Sequence, residues 1–183
     1  MSPTPARRAK NKTAGTNTPG TNTPPAEPKP GRPEFAKGYS IRTDAKGLVS
    51  WKYVVAQLEK SKNYWISSTR PDGRPHAMPV WGVWMNGAVC FGTDRMSRKA
   101  RNFQANPRVS LHLESGDDVV ILEGAVREID PKEMAAMDKA YFKKYKMKLS
   151  NAPGNPCFLA VVPRVVFAWH ERNFAESPTR WVF

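Results

Sequence analysis

The sequence has few of the residues that build disulfide frameworks and metal sites. Its 183 residues include two cysteines and three histidines. Cys90 and Cys157 are far apart in the chain and have apolar surroundings, so we expect buried free thiols. His76, His112 and His170 never reach metal-ligand spacing with one another or with a cysteine. These shortages exclude a disulfide-rich scaffold, and we predict no metal site.

Long hydrophobic runs are also absent. No stretch of about 18 apolar residues occurs, so we predict no membrane span. The N-terminal region has no apolar segment of the kind found in export signals. We therefore expect a cytoplasmic protein.

The N-terminal region is also poor in core-forming residues. Before Phe35 it contains no Val, Ile, Leu or aromatic residue, and residues 1–38 hold eight of the seventeen prolines. Such a composition cannot bury enough apolar surface to offset chain entropy. We predict a disordered, basic, proline-rich tail over residues 1–38 and one folded domain over residues 39–183.

Positive charge is abundant in both parts of the chain. The formal net charge is +13; residues 1–38 contain seven basic and two acidic residues, and the remainder contains 22 and 14. An excess of this kind attracts phosphate-bearing molecules. Most aromatic residues fall at core-like strand positions rather than among exposed basic residues, which argues against nucleic-acid binding.

Turn signals and apolar periodicity predict a mainly β domain with three flanking helices. The predicted helices lie near residues 49–60, from residue 97 to about 105, and at 131–146. The predicted strands lie near residues 64–69, 75–85, 88–93, 109–114, 119–129 and 158–169. Most connections are too short for parallel crossovers. We therefore predict six antiparallel strands in a closed or split barrel.

The segment after the third predicted strand is the best candidate for binding an anion. Ser97 is a plausible N-cap, and the free N–H groups and dipole of a helix start favour negative charge. Arg98 can hold a phosphate through two hydrogen bonds, and Lys99 adds a point charge. The alternative is that Arg98, Lys99 and Arg101 form an ordinary solvated helix face.

Five short motifs follow one another in order between residues 69 and 109. They are TRPDGRPH (69–76), PVW (79–81), FGT (91–93), SRKARN (97–102) and NPRV (106–109). This order resembles the pyridoxamine 5'-phosphate oxidase-like split-barrel superfamily, especially its flavin- and deazaflavin (F420)-dependent oxidoreductases. The resemblance covers about residues 48–183. It implies a homodimer of six-stranded split barrels, with FMN or F420 in each of two grooves at the interface.

The resemblance also implies which residues contact the cofactor. The strand at 76–82 would lie along the isoalloxazine ring, Gly92 and Thr93 would contact the ribityl chain or phosphate, and the residues at 97–99 would hold the phosphate. A C-terminal segment would close over the flavin, although the Arg-x-His pattern of the vitamin B6 oxidases is absent between Trp169 and Arg180. The predicted contacts are His76, Met78, Pro79, Val80, Trp81, Gly92, Thr93, Ser97, Arg98, Lys99, Asn102, Trp169 and Arg180.

Several of these residues have a second interpretation. His76 fits either a turn-exposed histidine or a neighbour of the ring, and His112 could face the cofactor groove or solvent. Trp169 and Trp181 fit either a cofactor contact or burial in a dimer core. No catalytic triad can be assembled from the chain, so we assign no catalytic residue; cofactor chemistry does not need one.

The predicted function is that of an FMN-dependent oxidoreductase, moving hydride through flavin N5 to or from a small substrate. One alternative uses F420, whose polyglutamyl tail could follow a row of lysines or leave them as a solvated helix face. Those lysines are Lys139, Lys143, Lys144, Lys146 and Lys148. A second alternative is a non-enzymatic cofactor carrier. Six tryptophans in one small domain favour a homodimer that covers part of this apolar surface.

Overall fold

The computed structural model describes residues 27–36 and 38–183. Over these residues the chain forms nine strands and three α-helices. In chain order they are β1 (Pro30–Gly31), α1 (Trp51–Lys60), β2 (Asn63–Thr69), β3 (Pro75–Trp81), β4 (Val83–Met85), β5 (Ala88–Asp94), α2 (Arg98–Ala105), β6 (Arg108–His112), β7 (Asp118–Glu128), α3 (Met134–Tyr145), β8 (Pro156–His170) and β9 (Thr179–Val182).

The predicted six-stranded antiparallel barrel is confirmed, with one strand broken. Ladders join the strands in the order β5-β8-β7-β6-β2-β3, and the chain then crosses Gly82 into β4, which pairs back to β5. A Cβ atom at Gly82 would lie 3.0 Å from the Cys90 carbonyl oxygen, so the break brings two backbones close together. The predicted strand at 75–85 is therefore two strands, β3 and β4.

Short-range signals account for most element boundaries. Asn86 and Gly87 have positive φ angles of 52° and 75° and join β4 to β5 in a tight hairpin. Ser50 accepts a hydrogen bond from the N–H of Tyr53 and caps α1. Asp130 and Glu133 form a complete capping box in the 3-10 turn that precedes α3.

Two groups of buried side chains hold the barrel together. The larger fills the barrel and is closed by α1 and β9, with Tyr64, Phe91 and Trp181 among its fully buried members. The smaller lies between α3 and strands β4, β5 and β8, around Met137 and Tyr141. Cys90 and Cys157 are buried free thiols, as predicted.

The structure differs from the predicted tail between residues 30 and 36. Strand β1 pairs with β9, and the Phe35 ring packs 5.5 Å from that of Phe174. The Arg32 guanidinium donates hydrogen bonds to four backbone carbonyl oxygens, those of Asp44, Lys46, Glu176 and Pro178. Backbone pairing and one arginine therefore order a segment that lacks aliphatic residues. Residues 1–26 and residue 37 of the predicted tail lie outside the described residues.

Candidate anion-binding site

The site begins where β5 passes into α2. Ser97 is extended (φ −63°, ψ 153°), and its hydroxyl accepts a hydrogen bond from the N–H of Ala100 at 3.3 Å. The Thr93 hydroxyl lies 3.2 Å from the Ser97 hydroxyl. This confirms the predicted cap and places two hydroxyls and the first-turn N–H groups of α2 at one point.

A buried polar chain ties α2 to the β2–β3 hairpin. Asn102 is fully buried, and its amide donates a 3.0 Å hydrogen bond to the Ser68 hydroxyl. The Ser68 hydroxyl in turn donates to the His76 carbonyl oxygen at 3.4 Å. The Asn102 carbonyl oxygen Oδ1 is buried and has no hydrogen-bond partner among the described residues. These two hydrogen bonds hold α2 against the hairpin. Asn102 Oδ1 can still accept a hydrogen bond from a ligand.

Four basic side chains surround this polar chain. Ser68 and His76 are register partners, so their side chains share one face of the hairpin, and Arg70 follows Ser68 by two residues on that face. Arg98 and Lys99 precede Asn102 by four and three residues, which puts them on its side of α2. We call Arg70, His76, Arg98 and Lys99 the basic cluster.

The electrostatics of the basic cluster are unbalanced. Burial is the main cause that lowers the pKa of the His76 imidazole. The positive charges of Arg70, Lys99 and Arg98 lower it further. Burial also lowers the pKa of Lys99. Throughout the described part of the chain, no carboxylate forms a salt bridge with these four side chains.

Two cluster atoms are buried without a partner in the described residues: Arg70 Nε and His76 Nδ1. Buried polar atoms are almost always hydrogen-bonded in folded proteins. Together with Asn102 Oδ1, they leave two nitrogens and one acceptor oxygen at one place. The arrangement fits a doubly charged anion that carries hydroxyl groups nearby.

Strand β3 leads away from the basic cluster along an exposed apolar path. Within the described residues, β3 pairs only with β2, so its other edge has no partner strand. Met78 is 43% exposed and Trp81 is 51% exposed, whereas Val80 faces the core. The Trp81 ring stacks on Tyr145 with centroids 4.9 Å apart and planes 6° apart. Met78, Pro79 and Trp81 could therefore border a flat ligand, and Val80 could contribute only its backbone.

Gly92 has a packing role that sequence reasoning did not find. A Cβ atom there would lie 2.9 Å from Leu149 Cδ2, inside the usual contact distance. The glycine thus accommodates Leu149, and any ligand contact by Gly92 would involve its backbone. Thr93, by contrast, lies beside Ser97 as the predicted site requires.

The structure does not bring Trp169 and Arg180 to the basic cluster of the same chain. Cys157 on β8 pairs with Thr93, but Trp169 stands at the other end of that strand, opposite Val119. Twelve residues of strand separate the two ends, roughly 40 Å if straight. Arg180 is exposed on β9 near that distant end. Their predicted cofactor contact stays a prediction that only a second copy of the chain could satisfy.

Other interpretations are resolved by burial. Trp181 is fully buried in the core of a single chain and packs on Trp51 at 5.4 Å, so it is neither a cofactor contact nor a dimer-core residue. His76 is half-buried, so the turn-exposed interpretation is wrong. His112 is also half-buried; its ring is parallel to Trp65, and its Nδ1 lies 2.7 Å from the Leu113 carbonyl oxygen.

Lys144 does not belong to a solvated row of lysines. Its ammonium group donates to the Tyr64 hydroxyl at 2.8 Å and to the Gly82 carbonyl oxygen at 3.0 Å. Burial lowers the pKa of Lys144 to about 8. It therefore fastens α3 to the break between β3 and β4. The remaining lysines of that row, Lys139, Lys143, Lys146 and Lys148, are exposed.

Sequence reasoning missed Arg70, which was treated as part of a turn. The available signal was its position two residues after Ser68, on the face that turns toward α2. Among the described residues, no group of three His, Cys, Asp or Glu side chains could hold a metal ion. None of the helices in the described ranges is both long and apolar enough to cross a membrane.

Comparison with solved structures reveals the same fold in several proteins. A conserved hypothetical protein of Mycobacterium tuberculosis is 21% identical, with a TM-score of 0.60 over 72% of this chain and 91% of that one. An F420 reductase is 24% identical, with a TM-score of 0.51 over 61% and 93%. The heme storage protein HutZ of Vibrio cholerae is 14% identical, with a TM-score of 0.55 over 64% and 90%. At these identities the likeness establishes fold alone.

Sequence comparison identifies the family directly. No curated protein matches the chain. The family model described as pyridoxamine 5'-phosphate oxidase matches residues 51–170, from the start of α1 to the end of β8. That match covers well over half of the chain and includes the hairpin and helix that carry the basic cluster. The chain therefore belongs to the pyridoxamine 5'-phosphate oxidase-like family and has its split-barrel fold.

Proposed function

We propose that this protein is an FMN-binding oxidoreductase whose basic cluster holds the cofactor phosphate. The observation that carries the proposal is the gathering of unpartnered polar atoms. Of four such buried side-chain atoms in the described residues, three lie around the Ser68–Asn102 hydrogen bond. Each unsatisfied buried atom costs about 1–3 kcal/mol, so three at one place point to a ligand.

The residues fit a phosphate monoester joined to a hydroxylated chain. A monoester carries roughly −1.5 to −2 charges at pH 7, which suits three permanent cations. The Arg98 guanidinium would form two parallel hydrogen bonds, Lys99 would add a point charge, and the hydroxyls of Thr93 and Ser97 would donate. Asn102 Oδ1 is an acceptor and would receive a ligand hydroxyl.

Strand β3 would provide the wall for the ring system. Its large exposed side chains are Met78 and Trp81, and Tyr145 supports Trp81 from behind. The Tyr145 hydroxyl accepts from the Gly82 N–H and can donate to the carbonyl oxygen of Lys62 or of Gly82, so the aromatic pair is held in place. When bound, the flavin would supply hydride transfer, and the chain's residues would orient it and exclude water.

A second copy of the chain completes this proposal. Trp65, Met78 and Trp81 are all more than a third exposed on the β2–β3 hairpin. Large exposed apolar patches usually mark an interface. A homodimer that covers this hairpin would enclose the ring system, and it would also allow Trp169 and Arg180 of one copy to approach the site of the other. Light scattering should report a dimer, and a monomer that still saturates with FMN would contradict this part.

The alternative cofactor is F420, which the structural likeness to an F420 reductase favours. F420 carries a phosphodiester with one negative charge, whereas FMN carries a monoester. The excess of cations in the basic cluster therefore suits FMN better. A carrier without enzymatic activity would hold the same cofactor but would exchange hydride with no nicotinamide or quinone probe.

The test is the absorption spectrum of the purified protein, followed by titration with FMN, F420 and riboflavin. Removing the Lys99 side chain should weaken FMN binding about ten- to a hundredfold, because a charge-assisted hydrogen bond contributes about 1.5–3 kcal/mol. Riboflavin, which lacks the phosphate, should bind wild type and Lys99→Ala alike. Arg101→Ala is the matched control, since Arg101 is exposed on the same helix.

Three results would contradict the proposal. Equal FMN affinity for wild type and Lys99→Ala would favour the alternative that Lys99 belongs to an ordinary solvated helix face. Tighter binding of F420 than of FMN would favour the deazaflavin. Uptake of hemin without uptake of flavin or F420 would show that the ligand belongs to a different chemical class.

A further inference from the structure

We propose that Arg70 and His76 form a second half of the phosphate site, opposite the half on α2, and that His76 takes up a proton when a phosphate dianion binds. This inference rests on the proposed function. It divides the basic cluster into two opposed halves carried by different elements, and it adds a pH-dependent step. The α2 half consists of Ser97, Arg98 and Lys99.

The geometry that joins the two halves is the Ser68–Asn102 hydrogen bond. It spans 34 residues of sequence and holds the β2–β3 hairpin against α2 at 3.0 Å. His76 faces Ser68 across the hairpin, and Arg70, just past the end of β2, lies close enough to His76 for its charge to lower the pKa of that ring. Because Arg98 and Lys99 stand one turn before Asn102, the hairpin cations and the helix cations face the same space.

The unused atoms of the hairpin point to a ligand. Arg70 Nε and His76 Nδ1 are both buried and lack a partner in the described residues. The neighbouring Arg74 differs, because it is exposed and pairs with Asp72 at 2.7 Å. Two arginines of one turn therefore have different roles. Arg74 is neutralised within the turn, and Arg70 is available to an external anion.

The charged groups that face His76 are all positive. Arg70 faces His76 from the same hairpin, and Arg98 and Lys99 face it from α2. The nearest acid in the turn, Asp72, is occupied by Arg74. The buried polar neighbours Ser68 and Asn102 are uncharged.

The direction of proton transfer follows from these neighbours. In the free protein, burial first and then the surrounding cations lower the pKa of His76 below its ordinary value of 6.5, so the ring is neutral at pH 7. A phosphate dianion would offset the cations and bring negative charge beside the ring. The pKa of His76 then rises, and the imidazole gains a proton. Affinity for the dianion should therefore increase as pH falls toward 7.

This device would distinguish phosphate monoesters from diesters. A diester brings one negative charge and raises the pKa of His76 less. A smaller fraction of His76 is then protonated, so a diester gains less from this residue. The phosphate itself titrates near pH 6 and is almost wholly dianionic above pH 7. Proton uptake measured at pH 7.5 therefore comes from the protein.

The test is calorimetric titration of FMN at pH 7.5 in two buffers of different ionisation enthalpy. Wild type should take up a fraction of a proton per FMN, and His76→Gln should take up almost none. Arg70→Ala should bind FMN about tenfold more weakly, consistent with loss of a charge-assisted hydrogen bond. Arg74→Ala, in the same turn, is the matched control and should behave as wild type. Riboflavin should cause no proton uptake in any of them.

A second measurement reports His76 directly. The chain has three histidines, so their ring protons can be separated by NMR, and His76→Gln identifies the signal. Its apparent pKa should rise when FMN is added. The same proton uptake in His76→Gln as in wild type, or equal affinity for Arg70→Ala and Arg74→Ala, would overturn this inference. If Lys99→Ala still weakens FMN binding in that case, the proposed function stands; if neither half matters, both fail.

Discussion

Each end of strand β8 lies beside a cluster of basic side chains, and the two clusters differ in whether a carboxylate pairs with them. Near His170, the imidazole Nδ1 lies 2.6 Å from an Asp118 carboxylate oxygen, and Arg172 lies 3.5 Å from the same oxygen. The Tyr53 ring packs against His170 at 4.8 Å. We call Tyr53, Asp118, His170 and Arg172 the Asp118 cluster. At the other end, beside Cys157, the basic cluster holds its cations with no carboxylate partner in the described chain.

The difference separates structural charges from candidate ligand-binding charges. The basic side chains of the Asp118 cluster have a carboxylate partner within the fold, so their polar contacts are complete without a ligand. Arg32, near that end, is likewise satisfied by backbone carbonyl oxygens. The basic cluster has buried nitrogens that nothing in the described residues satisfies. Both clusters contain histidine and arginine. They differ in whether a carboxylate of the described residues pairs with these side chains.

The largest expected loss of stability comes from a substitution at the β7–β8 register shift, which lies between the two ends of β8. A Cβ atom at Gly124 would lie 2.1 Å from the Val162 carbonyl oxygen, where the register of β7 and β8 shifts. Because the clashing atom is backbone, Gly124→Ala should cost about 3 kcal/mol of unfolding free energy. Urea denaturation measures this. Gly116→Ala is the control, since no atom lies within 4 Å of its new Cβ; similar losses in both variants would contradict the prediction.

Charge reversal at the basic cluster should have the next largest effect. Lys99→Glu places repulsion beside the phosphate and should lower FMN affinity more than a hundredfold, or about 3 kcal/mol. The melting temperature of the protein without cofactor should rise or stay, because repulsion among the cations is relieved. Arg101→Glu on the exposed side of α2 should weaken binding less than threefold. Equal losses for the two variants would mean that only overall charge matters.

Arg32 provides an intermediate test at the opposite end. Its guanidinium donates to carbonyl oxygens of the 44–46 segment and of Pro178 just before β9, so Arg32→Ala should lower the unfolding free energy by about 2 kcal/mol. FMN affinity should be unchanged. Arg42→Ala is the control, because Arg42 forms an exposed pair with Asp44, and such pairs contribute little. Thermal melting of both variants tests this; equal melting temperatures would show that the Arg32 hydrogen bonds contribute no net stability.

The smallest effect should be the pH dependence of the Asp118 cluster. The hydrogen bond from His170 is the main cause that lowers the pKa of Asp118 from its ordinary 3.8. A lowered carboxyl pKa stabilises the fold above that ordinary value and loses its contribution as pH falls through the lowered one. The melting difference between wild type and Asp118→Asn should therefore shrink below about pH 4. Asp117→Asn is the control, since the Asp117 side chain is exposed and forms no salt bridge in the described residues, and FMN binding at pH 7 should be equal in all three proteins.

Features that depend on nearby residues were predictable from the sequence. The Ser97 cap, the Asn86–Gly87 hairpin and the Asp130–Glu133 capping box each involve groups within four residues of one another. The Gly82 break was not predictable, because its cause is the Cys90 carbonyl oxygen on another strand. The pairing of β1 with β9 was missed for the same reason, since about 150 residues separate the two partners.

The sequence by itself determined the alternation of strands, the helix caps, the family and the Ser97-capped helix start that is the candidate anion site, because each depends on local pattern. Only the tertiary structure decided which charged residues find partners. Arg32 meets Pro178 across 146 residues, and Asn102 meets Ser68 across 34. Contacts at such separations depend on how the sheet closes. The way the sheet folds leaves Arg70 and His76 without an anionic partner in the described residues, and it makes this turn segment half of a candidate site.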